Sequence, residues 1–261
     1  MYVSISLTPV SSLSVSDYMG RNPVTVPSTV RLNEVIEIMA ARQIGSVIVT
    51  REDSPAGVVT EREIIREVVK AGALPSDMTA ERIMTPTFVR IKPESSVEDA
   101  ARAMMARKGR LLVFDGETLV GILTSTDLVR AFSKSTLNPP VKEAATMHIL
   151  TAAADETVAS AVKIMFDKRV GSLLITEKDQ PTAIFTERDL LTRVLDEGES
   201  LNRRVGDFAS KPLIDLPLDS SARNAATLMT ERKIKRLPLR SGDKIVGIVT
   251  ARDLVELFTK T

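Results

Sequence analysis

Read as apolar and polar positions, this chain states one pattern four times. Four short apolar runs predict strands: Ser46-Val47-Ile48-Val49, Leu111-Leu112-Val113-Phe114, Ser172-Leu173-Leu174-Ile175 and Leu237-Pro238-Leu239. Ahead of them, apolar residues recur at helical spacing. Val35, Ile36, Ile38 and Met39 form one such set, Val158, Ala161, Val162 and Met165 another, and Ala225, Ala226, Leu228 and Met229 a third. Turns containing Asp53-Ser54-Pro55, Asp115-Gly116, Lys178-Asp179-Gln180-Pro181 and Ser241-Gly242-Asp243 lead on to a second strand.

That second strand always closes on a hydroxyl residue, two variable residues and an acid, and a helix then begins. The four phrases are Gly57-Val58-Val59-Thr60-Glu61-Arg62-Glu63, Gly121-Ile122-Leu123-Thr124-Ser125-Thr126-Asp127, Ala183-Ile184-Phe185-Thr186-Glu187-Arg188-Asp189 and Gly247-Ile248-Val249-Thr250-Ala251-Arg252-Asp253. Their threonines stand 64, 62 and 64 residues apart. Each repeat opens with an entry segment, such as Tyr18-Met19-Gly20-Arg21-Asn22-Pro23, Ile83-Met84-Thr85-Pro86 or Phe208-Ala209-Ser210-Lys211-Pro212, ahead of a short first strand. The predicted architecture is α+β, a β-α-β-β-α unit used four times over residues 13–72, 78–134, 141–198 and 203–261. One unit is too small to bury its own sheet face, so units are expected to pair. Strands with little polar alternation agree with that. The least patterned joint, Ser133-Lys134-Ser135-Thr136-Leu137-Asn138-Pro139-Pro140, divides the chain into halves at 13–134 and 141–261.

Composition removes several function classes. A net charge of +1 and only nine aromatic residues in 261 give little support to nucleic-acid or membrane-surface binding. There is no cysteine and a single histidine, His148, so thiolate chemistry and histidine-based metal sites are excluded. No apolar run approaches the roughly 18 residues of a membrane span, and no secretory signal opens the chain, so a soluble cytoplasmic protein is expected. No Walker lysine motif, dinucleotide fingerprint, nucleophile motif or paired acids emerge, so an enzyme is not expected.

The β-α-β-β-α unit ending in G-h-h-T-x-x-D resembles a CBS domain, and two in tandem resemble a Bateman module. The match runs from about Leu13 to Phe258. Four CBS units with nothing appended are similar to the γ subunit of AMP-activated protein kinase and its archaeal stand-alone relatives. The resemblance implies two Bateman modules that bind AMP, ADP or ATP as a regulatory ligand in clefts between repeats, with no catalytic cofactor.

The phrase itself suits such a ligand. Where a strand ends and a helix begins, a phosphate meets backbone N–H groups and the positive end of the helix. A threonine hydroxyl can donate to a phosphate oxygen, and a carboxylate one turn later can accept ribose hydroxyls. On this division Asp127, Asp189 and Asp253 are ribose ligands, with Thr124, Thr186 and Thr250 beside phosphate. Thr60 and Glu63 form the first copy, whose longer acid should leave that site weak or empty. The bland reading is equally physical: Thr three residues before an acid is a capping box that any helix can use.

Fourteen residues before each threonine stand Ser46, Arg110, Ser172 and Arg236. In the γ subunit the similar place holds a basic pair that binds phosphate. Here Lys235-Arg236 matches it in repeat 4, whereas repeat 2 reads Gly109-Arg110. Arginine's planar fork suits phosphate, although a solvated arginine is the alternative. The resemblance places adenine against the entry region, where Val24, Thr87, Leu150 and Leu213 stand; core packing would explain them as well.

Three functions therefore compete: a nucleotide sensor signalling to an unidentified regulated protein, a protein-interaction scaffold with vestigial sites, and a sensor of another adenosyl ligand such as S-adenosylmethionine. The modules could pair within one chain or between two chains as a homodimer.

Overall fold

The hairpin of apolar strands forms in all four repeats, and a third strand joins it in parallel each time. The computed structural model describes residues 7, 9, 12–107 and 110–260. In repeat 1, Thr25–Pro27 lies parallel to Ser46–Arg51, which pairs antiparallel with Ser54–Thr60. Repeats 2, 3 and 4 copy this with Val89–Ile91, Leu111–Asp115 and Thr118–Leu123, then Thr151–Ala153, Ser172–Glu177 and Gln180–Thr186, then Leu216–Pro217, Arg236–Ser241 and Lys244–Thr250. All four hairpins carry an irregularity at the same place, between Val49/Thr50, Val113/Phe114, Pro181/Ala183 and Leu239/Arg240. A bulge bends and twists its strand, so its recurrence gives the four sheets a common shape.

Amphipathic helices form where the spacing predicts them, at Leu32–Ala41, Val158–Asp167 and Ala222–Arg232, and repeat 2 has its counterpart at Val97–Arg107. In repeats 3 and 4 their starts are set by side chains. Thr157 accepts the Ser160 amide at 3.1 Å, and Ser221 accepts the Asn224 amide at 3.2 Å. Removing such a cap costs about 1 kcal/mol. Thr157→Ala should therefore lower the melting midpoint by about 2–4 °C in a thermal scan.

The second helices are Glu61–Ala71, Ser125–Phe132 and Ala251–Phe258 in repeats 1, 2 and 4. Repeat 3 differs. After Glu187–Asp189 its helix widens into a π-helix over Leu190–Leu195, with the Asp196 amide reaching back five residues to the Leu191 carbonyl at 3.0 Å. The Thr192 hydroxyl donates to the Arg188 carbonyl at 2.9 Å, competing for the backbone acceptor at this turn.

Each entry segment leaves its own repeat and completes another. Gly20–Arg21, from the entry of repeat 1, adds to Thr118–Leu123 of repeat 2. Thr85 bridges to Val58, Thr146 to Ile248 and Ser210 to Ile184, so the entries of repeats 2, 3 and 4 lie on repeats 1, 4 and 3. Methionines make these seams close. A Cβ at Gly57 would stand 2.8 Å from both the Met84 sulfur and the Thr85 carbonyl oxygen, and one at Gly121 would stand 2.6 Å from the Met19 sulfur.

The chain divides into two compact units. One takes the residues up to Pro23, Phe88–Ile149 and those from Ile214 onward; the other takes Val24–Thr87 and Leu150–Leu213. The first unit joins the bodies of repeats 2 and 4, where Phe132 meets Phe258 edge-to-face with ring centroids 4.3 Å apart. The second joins repeats 1 and 3 around Ile36, Met39, Ile64, Val162, Phe185 and Leu190, all essentially buried.

Candidate functional site

The four threonine-to-acid corners share one geometry. In repeat 4 the Thr250 amide and hydroxyl both donate to Asp253 Oδ2, at 2.8 and 2.7 Å, and the Asp253 amide returns to Thr250 Oγ1 at 3.3 Å. In repeat 3 Asp189 Oδ2 takes the same pair from Thr186 at 2.9 and 2.7 Å. Asp127 does so with Thr124 at 2.9 and 2.7 Å. Glu63 reaches the Thr60 amide at 3.0 Å and its hydroxyl more closely still. Every corner is thus a satisfied capping box, which makes the cap reading physically true whatever else the corner does.

This changes how a ligand would be held. The threonine protons point to the acids rather than outward. The first amides of three helices are also taken, Glu61 by the Gly45 carbonyl at 3.3 Å, Glu187 by Gly171 at 3.1 Å and Ala251 by Lys235 at 2.8 Å. A phosphate here would have to draw on side-chain cations more than on backbone amides.

The acids differ in their second oxygen. Asp189 Oδ1 accepts the Ser210 hydroxyl at 2.9 Å and has the Arg193 guanidinium at 3.6 Å, and its side chain is 7% exposed. Glu63 Oε1 accepts the Thr85 hydroxyl at 3.3 Å. Asp127 Oδ1 has Arg130 at 3.6 Å but no hydroxyl from the entry segment, because the entry residue on its repeat is Gly20. Among the described residues no donor reaches Asp253 Oδ1. Burial pushes both carboxyls in repeats 2 and 4 above the usual range. For Asp127 the Thr124 bonds and then Arg130 and Arg110 pull the other way, and for Asp253 the Thr250 bonds do.

The fourteen-residue spacing has a structural meaning. Ser46 lies directly across the strand pair from Thr60, Ser172 from Thr186 and Arg236 from Thr250. Arg110 immediately precedes Leu111, whose partner Leu123 precedes Thr124. Side chains so placed are within about 5 Å at Cβ. Arginine therefore faces the corner in repeats 2 and 4, and serine in repeats 1 and 3. Lys108 and Gly109 lie outside the described residues.

In the entry region, Val24 and Leu150 hold equivalent places, their carbonyls accepting the Ile48 and Leu174 amides at 3.0 Å. Sheet register makes Val89 and Ile214 their counterparts in repeats 2 and 4. Thr87 stands two residues before Val89 and is exposed, and Leu213 one residue before Ile214. The irregular run of prolines before these strands hid that register in the sequence. His148 is exposed. Two features went unanticipated: the hydroxyls of Thr85 and Ser210, supplied by exchanged entry segments, and the ion pairs Arg62–Glu187 at 3.7 Å and Arg188–Glu61 at 3.6 Å. The recurrence of Thr-Glu-Arg in repeats 1 and 3 was the signal for those pairs.

Four strand-to-helix corners on repeated β-α-β-β-α sheets define a tandem repeat protein. The CBS domain model matches residues 15–70, 80–134, 141–196 and 205–260, and the chain belongs to the CBS-domain family. Members of that family are generally regulatory and non-enzymatic. An uncharacterized 33.4 kDa protein from the ribosomal RNA operon of Thermofilum pendens is 30% identical over 193 residues, 68% of this chain and 63% of that protein. A protein of Methanopyrus kandleri, MK0525, is 33% identical over 120 residues, 45% of this chain and 61% of its own length. The chain therefore spans less than two thirds of both relatives. In fold it is similar to protein MJ1225 of Methanocaldococcus jannaschii, proposed as an archaeal homologue of γ-AMPK. The TM-score is 0.79 at 16% identity, over 94% of this chain and 100% of that one. No helix among the described residues is long and apolar enough to cross a membrane.

Proposed function

We propose that this protein is a regulatory sensor of adenine nucleotides, AMP, ADP or ATP, with the corners of repeats 2 and 4 as its principal sites. The observation that carries this reading is the arginine across the strand pair from the threonine in those two repeats alone. Arg110 and Arg236 would bind phosphate through their forked donors. Asp127 and Asp253 would accept ribose hydroxyls on the oxygen their threonines leave open. In repeats 1 and 3 the same oxygen is occupied by the hydroxyls of Thr85 and Ser210 from the exchanged entry segments, and these are the weaker sites. Nucleotide occupancy would be read by a partner protein that binds the two states with different affinity.

Calorimetric titration with AMP, ADP, ATP and S-adenosylmethionine tests this. Saturable AMP binding is expected, weakened at least tenfold in Arg236→Ala. Binding of S-adenosylmethionine that ignores Arg110→Ala and Arg236→Ala would instead mark a phosphate-free adenosyl ligand. No binding at all, after denaturation shows that nothing copurified, would leave the scaffold.

A further inference from the structure

In three of the four repeats an arginine from the second helix holds the entry segment that crosses its corner. Arg66 stands six residues after Thr60, and Arg130 six after Thr124. Arg66 donates to the Ile83 carbonyl at 3.1 Å, and Arg130 donates to that of Tyr18. Ile83 and Tyr18 lie two residues before Thr85 and Gly20, where the crossing segments pair with those repeats. Arg130 also lies 3.6 Å from the corner acid, Asp127.

Repeat 3 reaches the same contact from another position. Arg193 stands seven residues after Thr186, not six, and the π-helix over Leu190–Leu195 takes up the extra residue. Arg193 then donates to the Phe208 carbonyl, two residues before Ser210, at 3.0 Å and lies 3.6 Å from Asp189. Such widened turns are rare and gather at functional positions. This one restores an arginine latch.

Repeat 4 has no such latch. Six residues after Thr250 stands Glu256, which has no proton to donate when ionised and pairs instead with Lys260 at 2.9 Å. The matching carbonyl is that of Ala144, two residues before Thr146, and among the described residues no side chain donates to it. The apolar anchor is missing too. Ile83, Tyr18 and Phe208 are 0%, 6% and 7% exposed, whereas small Ala144 is half-buried. Thr146 holds the place of Thr85 and Ser210, yet its hydroxyl does not reach Asp253 as theirs reach Glu63 and Asp189. At this crossing the segment is left with the two backbone bonds between Thr146 and Ile248, each 2.9 Å.

We propose that the entry segment of repeat 3, residues 144–149, is a gate over the corner of repeat 4, opening while Arg66, Arg130 and Arg193 keep the other three segments latched. The inference deepens the reading of repeat 4 as a principal nucleotide site and rests on that reading only for the ligand that passes. The test is residue-resolved native-state hydrogen exchange on the whole chain without ligand, corrected for intrinsic rates. The Thr146 and Ile248 amides are expected to exchange roughly tenfold faster than the matching pairs, Thr85 with Val58 and Ser210 with Ile184. Glu256→Arg supplies the residue of the other repeats and should slow Thr146 and Ile248 roughly fivefold, leaving the other pairs unchanged. Arg193→Ala should speed Ser210 and Ile184 alone, and Arg193→Lys, which keeps a donor, should restore part of their protection. A general loss of stability would instead speed every pair together, which separates a latch from poor folding. Equal protection of all the pairs in the parent, or a Glu256→Arg variant with Thr146 and Ile248 unchanged, would overturn the proposal. Because exchange is read without ligand, a failure of nucleotide binding would leave this result standing.

Discussion

Gly57→Val is expected to destabilise this protein by about 3 kcal/mol, the upper part of the usual cost of overpacking. In a chain of this size that is a fall of about 6–12 °C in the melting midpoint. The cause is the entry segment of repeat 2, which crosses the strand at this glycine. Its Thr85 carbonyl is backbone and cannot swing aside, and the Met84 sulfur already fills the remaining room. Repeat 3 shows how the same seam closes with a side chain on the strand: Ala183 takes the place of Gly57, and Ala209 that of Met84. Both alanines are buried. Combining Gly57→Ala with Met84→Ala should therefore cost less than the two changes summed, by at least about 0.5 kcal/mol in a double-mutant cycle read by urea unfolding. Strict additivity would mean that the segment does not pack on the glycine.

Asp253→Asn should abolish nucleotide binding at the corner of repeat 4 while making the ligand-free protein more stable at neutral pH. Burial raises the carboxyl's pKa above its ordinary value, so the folded state holds this proton more tightly than the unfolded chain does. Its contribution to stability is full below the unfolded pKa and is lost as pH rises through the folded one. At pH 7 the ionised, buried carboxylate is therefore a cost, and an amide that still accepts from Thr250 avoids it. Each kcal/mol recovered should appear as about 2–4 °C in the melting midpoint. The advantage should shrink as pH is lowered through the carboxyl's raised pKa, where the aspartate itself becomes neutral. Asp127→Asn should behave alike, since burial acts on Asp127 in the same direction. A variant less stable than the parent at pH 7 would show that the charge–helix interaction outweighs burial. Stability set aside for a ligand is common at binding sites.

Much of this was legible in the sequence because the repeat multiplies a weak signal by four. A single Ser46-Val47-Ile48-Val49 could be a strand or a buried helical turn; four such runs at constant distance from a threonine could only be one hairpin reused. The offset of fourteen residues between Arg236 and Thr250 was readable as a number, and the antiparallel register turns it into adjacency. What escaped were contacts between residues distant in the chain. Nothing local to Asp189 announces that Ser210 will donate to it, or that Gly20 will leave Asp127 without such a donor. The widened turn at Leu190–Leu195 is equally silent, since Leu-Leu-Thr-Arg-Val-Leu satisfies a helical pattern of either pitch.

The exchange of entry segments also sets a timetable for synthesis. Repeat 1 has all its own strands and helices by Ala71, yet its sheet gains the bridge at Val58 only when Thr85 follows. Repeat 3 waits in the same way for Ser210. Phe132 waits longest, because the ring it packs against, Phe258, lies almost at the end of the described chain. The unit joining repeats 2 and 4 therefore cannot close until Phe258 has left the ribosome. A truncation before Ala251 would remove Ala251, Leu254, Val255, Leu257 and Phe258 from that core and uncover the face of Phe132, and a chain carrying one repeat would have an open seam that a second copy could fill.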